Sequence, residues 1–324
     1  MKTYTIPQTD LVVSRLAYGC MNIGGGWDHE PLTDAAKTAA VEVVVAAVEA
    51  GITLFDHADI YMRGKSEAAF AAMWQALPGL RDKIVLQSKC GIRFADDPQP
   101  GIPARYDFSY QHIVASVEGS LRRLKTDYLD LLLLHRPDAL VEPEEVARAF
   151  DRLYTEGKVR YFGVSNHTVG QMELLRRHLA QPLVVNQMEL SLLHAHLITE
   201  GLLANQEEGA AALATGILDY CRLHGMQIQA WSPVAGGRLF NPPEDAAPPL
   251  REAAALVARL AETKQTSKEA IVLGWLLRHP AGILPVIGTT KPARVQASCL
   301  ADTVTLTREE WYALLAAVRG ESVP

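Results

Sequence analysis

This chain alternates strand-like and helix-like segments from end to end, and that alternation admits few architectures. Short apolar runs at residues 15–18, 53–55, 84–88, 129–134, 160–164, 183–187, 226–231 and 283–287 read as eight strands. Between them the periodicity turns helical. Residues 34–50 carry Ala40, Val44, Ala47 and Val48 on one face, and Gly51 supplies the stop. Ser109 stands as an N-cap before a stripe of Ile113, Val117, Leu121 and Leu124. The run 129–134 is almost wholly leucine, which suits a strand covered on both faces of a parallel sheet. Eight strands separated by helices predict a closed (β/α)8 TIM barrel, α/β in class, over a single domain of residues 1–324. The competing architecture, an open doubly wound sheet, usually carries a glycine fingerprint after its first strand, and residues 19–26 lack GxGxxG. Residues 4–13 read as an added N-terminal β-hairpin placed to plug the barrel floor. Segments 293–300 and 307–318 read as extra C-terminal helices.

Composition narrows the partners. A net charge of -6 gives no reason to expect nucleic acid or a membrane surface. No apolar run approaches the roughly 20 residues that span a bilayer. The first ten residues are polar and lack the apolar core of a signal peptide. Cys20, Cys90, Cys221 and Cys299 are scattered without CxxC spacing, as free thiols in a reducing compartment would be. We expect a cytoplasmic protein with a small-molecule substrate and no metal.

The ends of the strand-like runs carry the chemistry. Asp56 closes residues 53–55, Lys89 follows 84–88, His135 follows 129–134, and Tyr61 lies just beyond Asp56. In a parallel barrel these ends gather on the face where barrel enzymes act. A phenol with an ordinary pKa near ~10 holds its proton at neutral pH. A nearby ammonium lowers that pKa, so Lys89 is expected to activate Tyr61 while Asp56 holds Lys89 protonated. His135 is placed to donate a hydrogen bond to a substrate oxygen. Together the four suggest proton transfer to a carbonyl. Long stretches at 91–108, 191–216 and 232–249 all follow strands, so they are expected on the same face, for substrate binding and as a cofactor clasp. Gly64-Lys65-Ser66 resembles the end of a P-loop, but Asp59 stands where a glycine is needed. Ser66 is expected instead to cap a helix over residues 66–77.

On these residues the chain resembles an aldo-keto reductase over nearly its whole length, nearest to bacterial members described as general oxidoreductases. The five-residue spacing of Asp56 and Tyr61, Lys89 in Gln87-Ser88-Lys89, and His135 in His135-Arg136-Pro137-Asp138 match the family's catalytic positions. Gly163-Val164-Ser165-Asn166, Asn186-Gln187 and Trp231-Ser232-Pro233 also match. The resemblance implies reduction of aldehydes or ketones with NADP(H), in preference to NAD(H), bound without a Rossmann motif. Ser165, Asn166 and Gln187 correspond to residues that hold the nicotinamide amide, and Trp231 to the ring that stacks on it. Ser232, Pro233, Val234, Gly236 and Arg238 correspond to the pyrophosphate segment. Gly288, Thr289, Thr290, Arg294 and Ser298 correspond to the adenosine-phosphate segment. Cys20, Met21 and Asp56 correspond to cofactor contacts near the first strands. This chain departs from many relatives by having Gly288 in place of lysine and Ala297-Ser298 in place of Glu-Asn. Two other readings stay open: a redox-sensing partner protein with little turnover, and a barrel lyase using Lys89 as a Schiff base.

Overall fold

A computed structural model describes residues 1–203 and 215–324. β1 (Thr3–Thr5) and β2 (Val12–Ser14) pair antiparallel as the expected hairpin. β3 (Ala17–Gly19), β4 (Leu54–Asp56) and β5 (Val85–Cys90) follow. Next come the short pair β6 (Ile92–Arg93) and β7 (Arg105–Tyr106). β8 (Leu129–Leu134), β9 (Val159–Ser165), β10 (Leu183–Glu189), β11 (Gln227–Trp231) and β12 (Leu284–Ile287) complete the strands. β3, β4, β5, β8, β9, β10, β11 and β12 hydrogen-bond in that ring order into a closed, parallel, eight-stranded barrel.

Strand pleating divides the barrel interior into layers. Side chains two residues apart face the same way. Leu54, Val85 and Val185 face inward low in the barrel, and Asp56, Gln87 and Gln187 face inward one layer higher. The lower layer, with Leu131, Leu133, Leu284 and Val286, forms one apolar cluster with Ile6, Leu11 and Val13. The hairpin therefore stoppers the floor, where Gln227 is the polar exception and donates to the Tyr4 hydroxyl, and the charged groups of the interior stand in the upper half. The outer face of the sheet buries against the helices. The helix Tyr110–Leu124 contributes Ile113, Val117, Leu121 and Leu124, and Ser109 caps it by accepting from the His112 amide. Asp130 is the one polar residue of β8. It is buried, accepts from the Leu86 amide at 3.0 Å, and pairs with Arg81 at 3.0 Å and Arg160 at 2.9 Å.

Several local expectations change. No single helix spans residues 66–77. A 3-10 turn Tyr61–Gly64 leads into the helix Lys65–Phe70, and a separate turn covers Met73–Ala76. Met62, Arg63 and Gly64 all have left-handed φ values of 47°, 57° and 83°, so the helix starts one residue early. Ser66 is thus inside the helix, and its hydroxyl donates to the Met21 carbonyl at 2.8 Å instead of capping. The stretch 91–108 contains the β6–β7 ladder, and 191–216 contains the helix His196–Leu202. Residues 204–214 of that stretch lie outside the described residues. At the C-terminus, the Trp275 and Trp311 rings stack at 4.9 Å, each indole N–H donating to the other's carbonyl. This ties the last helix, Arg308–Arg319, to the barrel wall. Among the described residues, no helix is long and apolar enough to cross a membrane.

Gly163 gives a test of strand packing. A Cβ there would lie 2.7 Å from Leu133 Cδ2 and 2.8 Å from the Val185 carbonyl oxygen. Overpacking of this kind costs about 1–3 kcal/mol, so Gly163→Ala is expected to lower unfolding free energy by that amount in urea titrations.

Candidate active site

Strand ends set the first group of polar side chains. β4 ends at Asp56, Lys89 is the next-to-last residue of β5, His135 follows β8, and Tyr61 opens the turn after β4. The Lys89 ammonium donates to the Asp56 carboxylate at 2.7 Å, the His57 carbonyl at 2.9 Å and the Tyr61 hydroxyl at 3.0 Å. All three of its hydrogens are thereby engaged. The Tyr61 and His135 rings meet edge to face with centroids 5.7 Å apart.

Burial and charge act against each other here. Burial alone pushes the Lys89 pKa down, but Asp56 and Tyr61 outweigh it and hold the ammonium above its ordinary value. Burial pushes the Tyr61 phenol up, Lys89 pulls it down, and the net displacement is upward. The sequence suggested a lowered phenol. The structure corrects that, because loss of solvent outweighs one ammonium already shared with Asp56. Tyr61 therefore rests as a protonated phenol. His135 is held well below the ordinary imidazole value by burial, then by the charges of Lys89 and Arg136, so its ring is neutral.

A second group gathers beside the first. Asn166 Nδ2 donates to Ser165 Oγ at 2.8 Å and to the His135 carbonyl at 3.4 Å. Ser165 Oγ donates to the Gln187 carbonyl at 2.8 Å, and Trp231 Nε1 donates to Asn166 Oδ1 at 3.1 Å. Asn166 achieves this with a left-handed φ of 61°, a conformation asparagine tolerates. Beyond Trp231, positive φ at Ser232, Ala235, Gly236 and Gly237 curls the backbone through a 3-10 turn, a concave shape suited to anions. Pro233 is buried under this loop, Val234 is half-buried and Arg238 is exposed. After β12, Gly288, Thr290, Lys291 and Arg294 are exposed and Thr289 is half-exposed at the start of the helix Pro292–Cys299. Two expected contacts sit deeper. Ser298 is buried within that helix, and the Cys20 side chain is enclosed while its amide donates to the Asp56 carbonyl at 2.8 Å. Met21 is 41% exposed.

The aromatic rim comes from the long loops. Trp27 and Phe94 meet edge to face at 6.5 Å, and the Arg63 guanidinium lies 4.5 Å from the Phe94 centroid. Sequence reasoning missed four further members of the neighbourhood. Gln87 and Gln229 lie directly under Lys89 and Trp231, two residues back along the same strands. That period-two run of polar side chains was the available signal. Glu67, fully buried, receives the Ser88 hydroxyl at 2.7 Å and the Arg123 guanidinium at 2.8 Å, which braces β5 beside Lys89. The Arg136 guanidinium lies 5.5 Å from the Trp231 ring centroid. Neither contact of Glu67 or Arg136 is local in sequence.

An eight-stranded barrel with acid, amine, phenol and imidazole on its C-terminal rim defines a class of barrel oxidoreductase. The chain belongs to the aldo/keto reductase family, whose model matches residues 15–319. It is 40% identical to the oxidoreductase YdhF of Escherichia coli over 88% of this chain and 89% of that protein. It is 36% identical to a 6-dehydroglucose reductase of Agrobacterium fabrum, covering 97% of each. Among solved structures it resembles a glycerol dehydrogenase from Gluconobacter oxydans, with a TM-score of 0.80 and 26% identity over 98% of this chain and 95% of that one.

His57 provides a test of the site's dryness. Its ring is buried against Phe70 with both nitrogens unpartnered, and burial followed by the Lys89 charge pushes its pKa down to about 3. The unfolded chain takes up a proton near ~6.5 that the folded chain refuses until about 3, so stability falls as pH drops through that window. His57→Phe is expected to reduce this acid sensitivity by up to about 1.4 kcal/mol per pH unit. Urea unfolding at neutral and mildly acidic pH measures it. An unchanged slope would show that the imidazole is not held neutral.

Proposed function

We propose that this protein reduces aldehydes or ketones to alcohols with NADPH, Tyr61 acting as the general acid, and that it does so in the cytoplasm. The observation that carries the reading is the Asp56–Lys89–Tyr61 chain standing beside the Ser165, Asn166, Gln187 and Trp231 group on one rim. The residues present fit the cofactor. No described residue donates to Gln187 Oε1, which leaves an acceptor for a carboxamide. The curled 232–237 backbone offers amides to a pyrophosphate, and exposed Arg294 and Lys291 offer charge to a further phosphate. Bound NADPH would supply the hydride.

The chain's own groups supply the rest. Neutral His135 donates to the substrate oxygen and fixes its direction. Tyr61 passes its proton to that oxygen, and Lys89 stabilises the phenolate left behind. Asp56 keeps Lys89 charged throughout. The raised Lys89 pKa and its three engaged hydrogens disfavour a Schiff-base role, which needs a free amine. The 6-dehydroglucose reductase among its relatives places oxidised sugars on the panel of carbonyls to assay.

Purified protein is expected to consume NADPH with an aromatic aldehyde, a dicarbonyl or an oxidised sugar. Tyr61→Phe should lower turnover by about 10²–10⁴-fold while NADPH binding persists. Turnover at the wild-type level in that variant refutes the mechanism. Arg294→Ala is expected to weaken NADPH roughly tenfold and NADH little, read from direct binding titrations.

A further inference from the structure

Four buried polar side chains fill the barrel just under the rim: Asp56, Gln87, Gln187 and Gln229, none more than 3% exposed. They form one connected relay. Gln87 Nε2 donates to Asp56 at 2.6 Å and to Gln229 Oε1 at 2.8 Å. Gln229 Nε2 donates back across the barrel to Gln87 Oε1 at 2.9 Å. Gln187 Nε2 donates to the same Gln229 Oε1 at 2.9 Å. We propose that Gln229 is a positioning residue that couples the proton-delivering half of the site to the cofactor-binding half. The inference rests on the NADPH reading above.

The direction of every amide follows from one constraint. A carboxylate only accepts hydrogen bonds. Asp56 therefore fixes Gln87 with its NH2 toward the acid and its carbonyl toward Gln229 Nε2. That arrangement fixes Gln229, whose carbonyl must serve both Gln87 and Gln187. Gln187 spends its NH2 on Gln229 and is left presenting Oε1, an acceptor matched to the N–H of a carboxamide. Turning any one amide sets like groups face to face among buried side chains, at the cost of unsatisfied buried polar atoms. Packing alone asks for none of this. The layer beneath holds Leu54, Val85, Leu133 and Val185, with Gln227 turned away to Tyr4 and the Gly282 carbonyl, and an apolar residue of similar size would fill the volume of Gln229. In this way the charge on Asp56, which holds Lys89 and Tyr61, also orients the group proposed to receive the nicotinamide.

Two variants of the full-length protein decide it: Gln229→Met, which keeps volume and removes the amide, and Gln229→Glu. Each is followed by melting temperature, by NADPH affinity from tryptophan fluorescence quenching, and by the pH profile of kcat/KM. Gln229→Met is expected to weaken NADPH roughly tenfold and to displace the pH profile, as loss of an orienting buried hydrogen bond does. In Gln229→Glu the new carboxyl, buried and separated from Asp56 by Gln87, is expected to stay protonated below neutral pH and to provide the same donor and acceptor. Affinity is expected to return there and to fade as pH rises, relative to the wild type titrated in parallel. Wild-type affinity and pH profile in the methionine variant overturn the proposal, as does a glutamate variant no better than methionine at any pH. Should the methionine variant fail to fold, the glutamate variant decides alone: pH-dependent NADPH affinity supports the proposal and flat affinity overturns it. Failure of the wild type to bind NADPH refutes the cofactor reading itself, and this inference with it.

Discussion

A buried ammonium is the constraint around which the upper barrel is organised. Lys89 is only 1% exposed, and a charge in that position is tolerated only when it is paired and its hydrogens are all bonded. Asp56 supplies the charge, His57 the backbone carbonyl and Tyr61 the hydroxyl. Each partner is then constrained in turn. Asp56 must sit at the end of β4 with its second oxygen satisfied, which Gln87 does. The turn after β4 must bring Tyr61 back over Lys89, which the left-handed residues Met62 and Arg63 accompany immediately downstream. The neutral state of His135 follows from the same dry, cation-rich surroundings.

The floor makes this ceiling possible. A barrel open at both ends would admit water to the ion pair and weaken its attraction. The hairpin closes the bottom with Ile6, Leu11 and Val13, and the first inward layer is apolar except for Gln227, whose amide donates to the Tyr4 hydroxyl of the hairpin. The pleat then places one polar layer above it, and the rim residues stand on that layer. Stability and chemistry are thus separated by height along the strands. Substitutions low in the barrel are felt as packing, and substitutions high in it as electrostatics.

Much of this was legible in the chain itself. The eight strands, the hairpin, the Ser109 cap and the convergence of Asp56, Tyr61, Lys89 and His135 follow from periodicity and from the ends of apolar runs, because those signals are local. The boundaries of the helix after Tyr61 were not legible. Three consecutive left-handed residues there include two without the glycine that normally announces such a conformation. The role of Asp130 was hidden too, since its partners Arg81, Leu86 and Arg160 lie on other elements.

The sequence by itself determined the eight barrel strands, their parallel arrangement and which residue types stand at the strand ends, since each depends on spacing along one segment. The tertiary structure decided the balance of forces at those ends. Whether the phenol rises or falls depends on how much solvent is lost against how much charge is shared, and both come from neighbours on other strands. The link from Asp56 through Gln87 and Gln229 to Gln187 likewise exists only after closure. β5 and β11 stand on opposite sides of the ring, so two glutamines 142 residues apart in the chain meet only when the barrel is shut.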